Sequence, residues 1–428
     1  MTDFELSPEQ EYAMELYEKG ENIFITGPAG VGKTHILQQI IKDARSKGKT
    51  VALTAMTGKA AILLGEGATT FHSWTGIGLG KGTVYDIYKR VCVKGGKERW
   101  LEADILIVDE VSMMSHYLFF TIVELAKRLI PRGLNGGLQV IFSADFFQLP
   151  PIGNGYVIES GEYCFQSEEW DKVFPPANQI EFETNFRQRD PAFKRMLNRI
   201  RRGQIKQKDI DLLQSLTTRE YPSDYTPCFI CPTRRQVEVL NREELDKLTT
   251  ETKVYQHEEG FPRSETELTE KQQRQEIEKM LKNLPIEETL TLKVGAQVMC
   301  TYNIDVASGI CNGSQGKVIE FRDEFPIVQF RNGQTLKIKP QEFEHDIFDG
   351  LMIVQLPLIL AWGATIHKLQ GATLDIARIN AGKDIFERGQ LYVALSRVRT
   401  LEGLYLTEFD PRALKTDPVV TEFYNKFQ

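Results

Sequence analysis

The chain has 428 residues, 41% of them hydrophobic and 26% charged, and a net charge of −7. This length allows two or three domains, and the composition is that of a soluble globular protein. The acidic balance argues against a protein that coats nucleic acid by bulk charge, and no run approaches the ~20 apolar residues of a membrane span.

The start "MTDFELSPEQ" has no basic segment followed by an apolar run, so no secretory signal is expected. Ser7 followed by Pro8 and Gln10 reads as a capped helix start, although a glutamine amide there could instead read an adenine edge. "NIFITG" is a short apolar strand entering a Gly-rich loop. "THILQQIIKDARSKG" then predicts a helix ending near Gly48. "TVALTA", "DILIVDE" and "LQVIFSAD" are further buried-strand runs. Strands separated by helical patterns imply a parallel sheet covered on both faces. Residues 75–100 interrupt the pattern with Gly, Lys and Arg, and "FPPAN", 174–178, reads as a boundary. The expected division is therefore a first lobe at 1–178 and a second at 179–428.

The second lobe is expected to repeat the alternation with "QIEFET", "CFICPT", "LMIVQLPLIL" and "GLYLTEF", without a second Gly-rich loop. From 187 to 208 nine Lys/Arg stand against one acid, Asp190; this is either a solvated helix face or a basic track along a phosphate backbone. Cys228 and Cys231 lie in an apolar strand-like run with no second Cys/His pair to complete a zinc site, so a structural role is expected. Residues 269–284 predict a helix with Ile277, Met280, Leu281 and Leu284 on one face. Residues 295–345 change to short strands and tight turns, with Asn332-Gly333 between apolar arms as a hairpin signal. They read as a small β-barrel inserted in the second lobe.

The chemistry concentrates in "GPAGVGKT", residues 27–34, which fits G-x-x-x-x-G-K-[ST] between a strand and a helix. The backbone N–H groups of Gly27, Ala29, Gly30, Val31, Gly32 and the residues entering the helix, His35 included, would close round phosphates, with Pro28 in the same loop. Lys33 would reach the β/γ oxygens, and Thr34 would hold Mg2+. "ILIVDE" puts Asp109 and Glu110 at a strand tip. Asp109 would bind Mg2+ through water, and Glu110 would orient or deprotonate the attacking water. Gln148, after the next strand, is either an ordinary loop residue or a contact to the γ-phosphate. "TTFHSW" offers Phe71, His72 and Trp74. Aromatic faces there could stack on unpaired bases; strand alternation would let Phe71 and Trp74 face different ways, and from the residues alone core is the preferred reading of both. Thr57, Gly58 and Lys59 begin a helix whose N–H groups suit a phosphate.

The set "GPAGVGKT", "MTGKAAILL", "TTFHSWTGIG", "RWLEADILIVDEVSMM", "FSADFFQLPPI", "ETNFRQRD", "GATIHKLQGATLD" and "LYVALSRVR" follows in order from residue 27 to 399, within a resemblance that covers about residues 5 to 408. It resembles the PIF family of DNA helicases, relatives of RecD in superfamily one, in a form without the long N-terminal extension of eukaryotic members. The resemblance implies an α/β fold of two RecA-like P-loop lobes with ATP between them. It also implies single-stranded DNA across their top, 5′→3′ movement, and 5′-tailed or forked duplex as substrate, with G-quadruplex a further candidate. A wedge insertion is implied at about 75–97, and a helical and SH3-like insertion at about 253–350. Residue by residue, Gln10 becomes an adenine reader, Gln148 a γ-phosphate contact, and Arg187 and Arg397 arginine fingers. Gln370 and Gly371 become contacts at the nucleotide cleft. Phe71 and His72 move to the DNA side with Trp74 buried, and His367 and Lys368 meet the DNA backbone. A monomer in the cytoplasm, associated with the nucleoid, completes the expectation. A translocase that does not separate strands, or a binding module with a decayed ATP site, are the competing readings.

Overall fold

The apolar runs of the N-terminal part become one parallel sheet: β1 (Ile23–Thr26), β2 (Val51–Ala55), β3 (Thr69–Thr70), β4 (Ile105–Asp109), β5 (Gln139–Ala144) and β6 (Gln179–Glu181). Their order is β3-β2-β4-β5-β1-β6, with every neighbouring pair parallel. Alternation along the strands feeds two cores. Ile23, Ile25, Ile105, Ile107 and Ile141 face the buried side of helix α2 (Lys33–Ser46), while Phe24, Leu106, Val108, Val140 and Phe142 face an aromatic-rich core on the other side. Helix α1 (Pro8–Glu18) precedes β1, and Gly48, at φ 72°, follows the cap of α2.

The computed structural model describes residues 6–427, apart from 58–59, 62–63, 66, 78–81, 94–95, 132, 135–136, 152–160, 187–189, 222–225, 232, 262–268, 285, 306–307, 346–349, 367–368, 370–371 and 386. The chain forms two units, 1–188 with 416–428, and 189–415. Two segments that the sequence put in the second lobe therefore sit in the first unit. β6, within "QIEFET", pairs with β1 instead of opening the second sheet. The helix Pro418–Tyr424 buries Val420, Phe423 and Tyr424 in the aromatic core of the first unit. Neither move is written in local pattern, since a three-residue strand can pair with any parallel edge.

In the second unit, β7 (Cys228–Cys231) buries both cysteines of the C-x-x-C. The insertion follows as β8 (Thr252–Gln256), β9 (Glu258–Gly260), the helix Glu270–Asn283 and β10 (Thr289–Lys293). It continues as β11 (Gln297–Cys300), β12 (Gln315–Arg322), β13 (Phe325–Phe330), β14 (Thr335–Lys337), β15 (Gln341–Glu344), β16 (Met352–Gln355) and β17 (Leu358–Leu360). These strands form antiparallel sheets: a pair β10-β8, a five-stranded β14-β13-β12-β11-β17 and a three-stranded β15-β16-β9. The helix starts at Thr269, whose side chain and Gln272 form a capping box. Asn332 and Gly333, the latter at φ 87°, turn β13 into β14. "LMIVQLPLIL" was expected in the parallel set, but Pro357 splits it into β16 and β17, which join different antiparallel sheets. The parallel sheet resumes with β18 (Gly363–Thr365), β19 (Ala377–Ala381) and β20 (Leu404–Phe409) in the order β18-β7-β19-β20. The fold is thus α/β with parallel sheets and an antiparallel insertion. No helix among the described residues is long and apolar enough to cross a membrane.

Candidate functional site

β1 ends at Thr26, and residues 27–32 loop back into α2. Gly27, Gly30 and Gly32 take φ values of 138°, 86° and 81°, a backbone region costly for a residue with a Cβ. Space adds a second constraint: a Cβ on Gly27 would lie 2.4 Å from the Phe182 carbonyl oxygen. Gly32 caps α2 without a side-chain acceptor, so the first N–H groups of that helix have no side-chain cap, which suits an anion. Lys33 Nζ donates to the carbonyls of Gly27 at 2.7 Å and Pro28 at 3.1 Å. Thr34 is half-buried, while His35 is exposed and pairs with Gln39.

Asp109 closes β4 and is 7% exposed. Burial pushes its carboxyl above the usual range; the Ser143 hydroxyl, the Glu110 N–H and the Lys33 ammonium act the other way. Glu110 is half-buried in the left-handed region, at φ 57° and ψ 38°, and caps the short turn Val111–Met113. A glutamate there carries backbone strain of roughly 1–3 kcal/mol, the kind concentrated at functional sites. After β5, Gln148 is 5% exposed, and its Nε2 donates to Asp145 Oδ2 at 3.4 Å.

Gln10 makes the capping box, and its amide reaches the phosphate loop. Its Oε1 accepts from the Ser7 N–H in a capping box, while its Nε2 donates to the Val31 carbonyl at 3.4 Å and lies beside Gly32. Sequence reasoning missed a strap along the same loop. The N–H of Phe182 donates to Thr26 O, Asn185 Nδ2 to Ala29 O, and the N–H of Phe186 to Gly30 O, each at 2.8 Å. The Phe186 ring, 48% exposed, lies 3.5 Å from a Cβ position on Gly32. "QIEFET" holds Phe182 and "ETNFRQRD" holds Asn185 and Phe186, but neither motif marks them apart from its neighbours.

The segment expected to meet DNA differs from its reading. Residues Phe71–Thr75 form a helix capped by the Thr70 side chain, not an alternating strand. Phe71 and Trp74, three apart, therefore fall on one face, and both are buried, at 0% and 9% exposure. Trp74 is core as expected, with Trp100 at 5.0 Å; Phe71 is core too, and its assignment as a base-stacking residue is withdrawn. His72 keeps partial exposure, and burial pulls its pKa below the ordinary histidine value. The Thr57 hydroxyl accepts from the Ala60 N–H as a helix cap. Gly58, Lys59, Arg187, His367, Lys368, Gln370 and Gly371 lie outside the described residues.

In the second unit Arg397 is 2% exposed. Its Nε donates to Val393 O at 2.9 Å and its Nη2 to Ser396 Oγ at 3.0 Å. Arg399 is half-exposed and pairs with Asp375 at 3.3 Å. The basic run is only partly a surface track: Arg201 is buried, and Arg199 makes a two-pronged pair with Asp209.

A sequence model described as PIF1-like helicase matches residues 5–211, and one described as the 2B domain of DNA helicase Pif1 matches residues 278–321. The crystal structure of Pif1 helicase from Candida albicans is 34% identical with a TM-score of 0.78, covering 99% of this chain and 100% of that one. The chain belongs to the PIF1-like helicase family. A Pif1 structure from Bacteroides, solved with ADP-AlF3 and ssDNA, is 31% identical over 99% of this chain and 97% of that one, with a TM-score of 0.67. The ATP-dependent DNA helicase PIF1 of Xenopus laevis is 34% identical over 433 residues, 99% of this chain and 64% of the relative. The PIF1-like chain thus spans just under two thirds of that relative's length. Within this PIF1-like chain the matched 2B segment falls across the insertion, from the helix Glu270–Asn283 into β12.

Proposed function

We propose that the chain is an ATP hydrolase coupled to DNA unwinding, a 5′→3′ helicase that moves on single-stranded DNA. The observation that carries this reading is the meeting, at the ends of β1 and β4, of a glycine cradle, Lys33, a buried Asp109 and a strained Glu110. The name of the Xenopus relative and the nucleotide and ssDNA of the Bacteroides structure support it.

The loop N–H groups and the start of α2 receive the phosphates, and Lys33 exchanges the carbonyls of Gly27 and Pro28 for β/γ oxygens. The Thr34 hydroxyl and Asp109 carboxylate are hard oxygen donors that fit Mg2+. No cluster of three His, Cys, Asp or Glu that could hold a metal occurs among the described residues, so the pair fits an ion shared with phosphates and water better than a resident one. Bound there, Mg2+ would neutralise charge on the β and γ oxygens. Glu110 accepts the proton of the attacking water, and Gln148 contacts the γ-phosphate. The Gln10 amide reads the adenine edge, and the exposed Phe186 ring offers its face. Arg187 and Arg397 supply positive charge to the developing transition state, with Gln370 and Gly371 at the nucleotide. Thr57, Gly58, Lys59, His72, His367 and Lys368 hold the DNA backbone, which gives little sequence specificity. The partners are single-stranded DNA and 5′-tailed or forked duplex, with G-quadruplex DNA a further substrate. The working state is a monomer in the cytoplasm at the nucleoid, and residues 75–97 act as the strand-separating wedge.

Unwinding of matched duplexes with a 5′ or a 3′ single-stranded tail tests this. ATP-dependent separation of the 5′-tailed duplex alone is expected. DNA-stimulated ATP hydrolysis without separation of either would leave a translocase, and separation of the 3′-tailed duplex would reverse the polarity.

A further inference from the structure

The C-terminal residues belong to none of the motifs, yet they reach the nucleotide site of their own unit. Tyr424, the last residue of the helix Pro418–Tyr424, is 1% exposed, and its ring stacks on Phe147 with centroids 4.6 Å apart and planes at 23°. The Phe146 N–H donates to the Tyr424 hydroxyl oxygen at 3.2 Å. The same hydroxyl pairs with Thr26 Oγ1, 398 residues away in sequence. The amide uses one acceptor site of the phenol oxygen, and in its pair with Thr26 either hydroxyl can donate. Thr26 is fully buried and is the last residue of β1, directly before Gly27. Phe146 and Phe147 lie in the turn after β5, directly before Gln148. The strands pair as far as Thr26 opposite Ala144, and at that end this hydroxyl links Thr26 to the turn that continues β5.

We propose that Tyr424 is a positioning residue for ATP hydrolysis, its hydroxyl fixing the phosphate loop after β1 against the turn after β5 that carries Gln148. The proposal rests on the reading of Gln148 as a γ-phosphate contact. The geometry explains why a tyrosine stands there: a phenylalanine would fill the same aromatic core but leave the Phe146 N–H without this acceptor. The sheet holds β1 beside β5 up to Thr26 and Ala144, so loss of the hydroxyl acts on the segments that leave this pairing more than on the sheet itself. A misplacement of about 1 Å at a reacting centre costs on the order of 10²-fold in rate.

The test uses the full chain and Tyr424→Phe, with Phe427→Ala as a packing control, because the Phe427 ring lies 5.6 Å from that of Tyr424 and touches neither Thr26 nor Phe146 among the described contacts. Tyr424→Phe is expected to lower kcat of DNA-stimulated ATP hydrolysis by about tenfold or more with KM for ATP nearly unchanged. Its Tm should fall no further than that of Phe427→Ala, which keeps its kcat. In a Gln148→Ala background Tyr424→Phe should lower kcat little further. A Tyr424→Phe enzyme with normal kcat overturns the proposal, as does an equal fractional loss of kcat in Phe427→Ala. An undiminished effect in the Gln148→Ala background overturns the route through that turn. Normal kcat in Gln148→Ala alone refutes the reading of Gln148, while Tyr424→Phe still decides whether the hydroxyl sets turnover.

Discussion

The two parallel sheets share a strand-to-helix step and differ in what fills it. In the first unit β1 ends at Thr26 and α2 begins at Lys33, and the residues between carry three glycines at positive φ. In the second, β7 ends at Cys231 and the next helix begins at Arg234, after residues 232 and 233 alone. Two residues cannot fold round a phosphate. The sheet supplies a platform, and the length and glycine content of one loop decide whether that platform binds nucleotide. On the proposed reading, the unit with the shorter step contributes side chains, Arg397 among them.

The largest expected effect separates those two contributions. Arg397→Ala should lower DNA-stimulated ATP hydrolysis by roughly 10³–10⁵-fold, the usual worth of an arginine finger, with ATP binding retained. Lys33→Ala, in the first unit, should weaken both binding and hydrolysis. Arg397→Lys should rescue poorly, because an ammonium cannot present a planar fork. Arg397 is buried and bonded to its own helix, so the melting curve has to be measured beside the rate. Arg399→Ala, exposed and paired with Asp375, should keep most activity. Normal turnover in Arg397→Ala would erase the functional contrast between the units.

Within the first unit, Glu110→Gln keeps shape and removes the basic carboxylate. ATP and DNA binding should persist while hydrolysis falls by about 10²–10⁴-fold, the range of general-base catalysis. Single-turnover phosphate release measures this, and near-normal release would show that the strained glutamate serves the turn rather than the water.

The sequence was most legible where several requirements coincide. The phosphate loop demands glycines, a lysine and a hydroxyl at fixed spacing, and the structure puts them on a strand-to-helix turn. The helix beginning after Thr269 carried its start in a capping box. Phe71 is core, as its residues alone favour; the family resemblance moved it to the DNA side, and a helix of five residues is too short for its spacing to show in the sequence that Phe71 and Trp74 share a face. β6 and the C-terminal helix were misplaced because their partners lie far away in sequence, and local pattern cannot encode which core will receive a buried phenylalanine.

Phe71→Ala tests that correction by stability. Truncating a fully buried phenylalanine costs about 3–5 kcal/mol, which a chemical denaturation curve should reveal. Single-strand affinity per folded molecule should change by less than the 1–3 kcal/mol typical of a lost base stack. Weak binding with an unchanged midpoint would return Phe71 to the DNA side.

The smallest expected effect concerns the strap between β6 and the first residues of the second unit. Asn185 Nδ2 donates to Ala29 O, and the neighbouring Phe186 N–H donates to Gly30 O, both within the phosphate loop. The second bond is backbone to backbone and survives any side-chain change, so Asn185→Ala removes one of two adjacent ties. A single hydrogen bond contributes about 0.5–1.5 kcal/mol net, which corresponds to a loss of roughly two- to tenfold in ATP affinity. The fold should be nearly as stable as before, since Asn185 packs in neither hydrophobic core of the unit. Asn185→Asp separates geometry from charge: it cannot donate to the carbonyl and brings a negative charge near incoming phosphates, so it should bind ATP more weakly than Asn185→Ala. Equilibrium binding of a fluorescent ATP analogue measures both. If the two variants bind as the parent does, the phosphate loop holds its shape without the strap, and the contrast between the long and short strand-to-helix steps lies in the loop's own glycines alone.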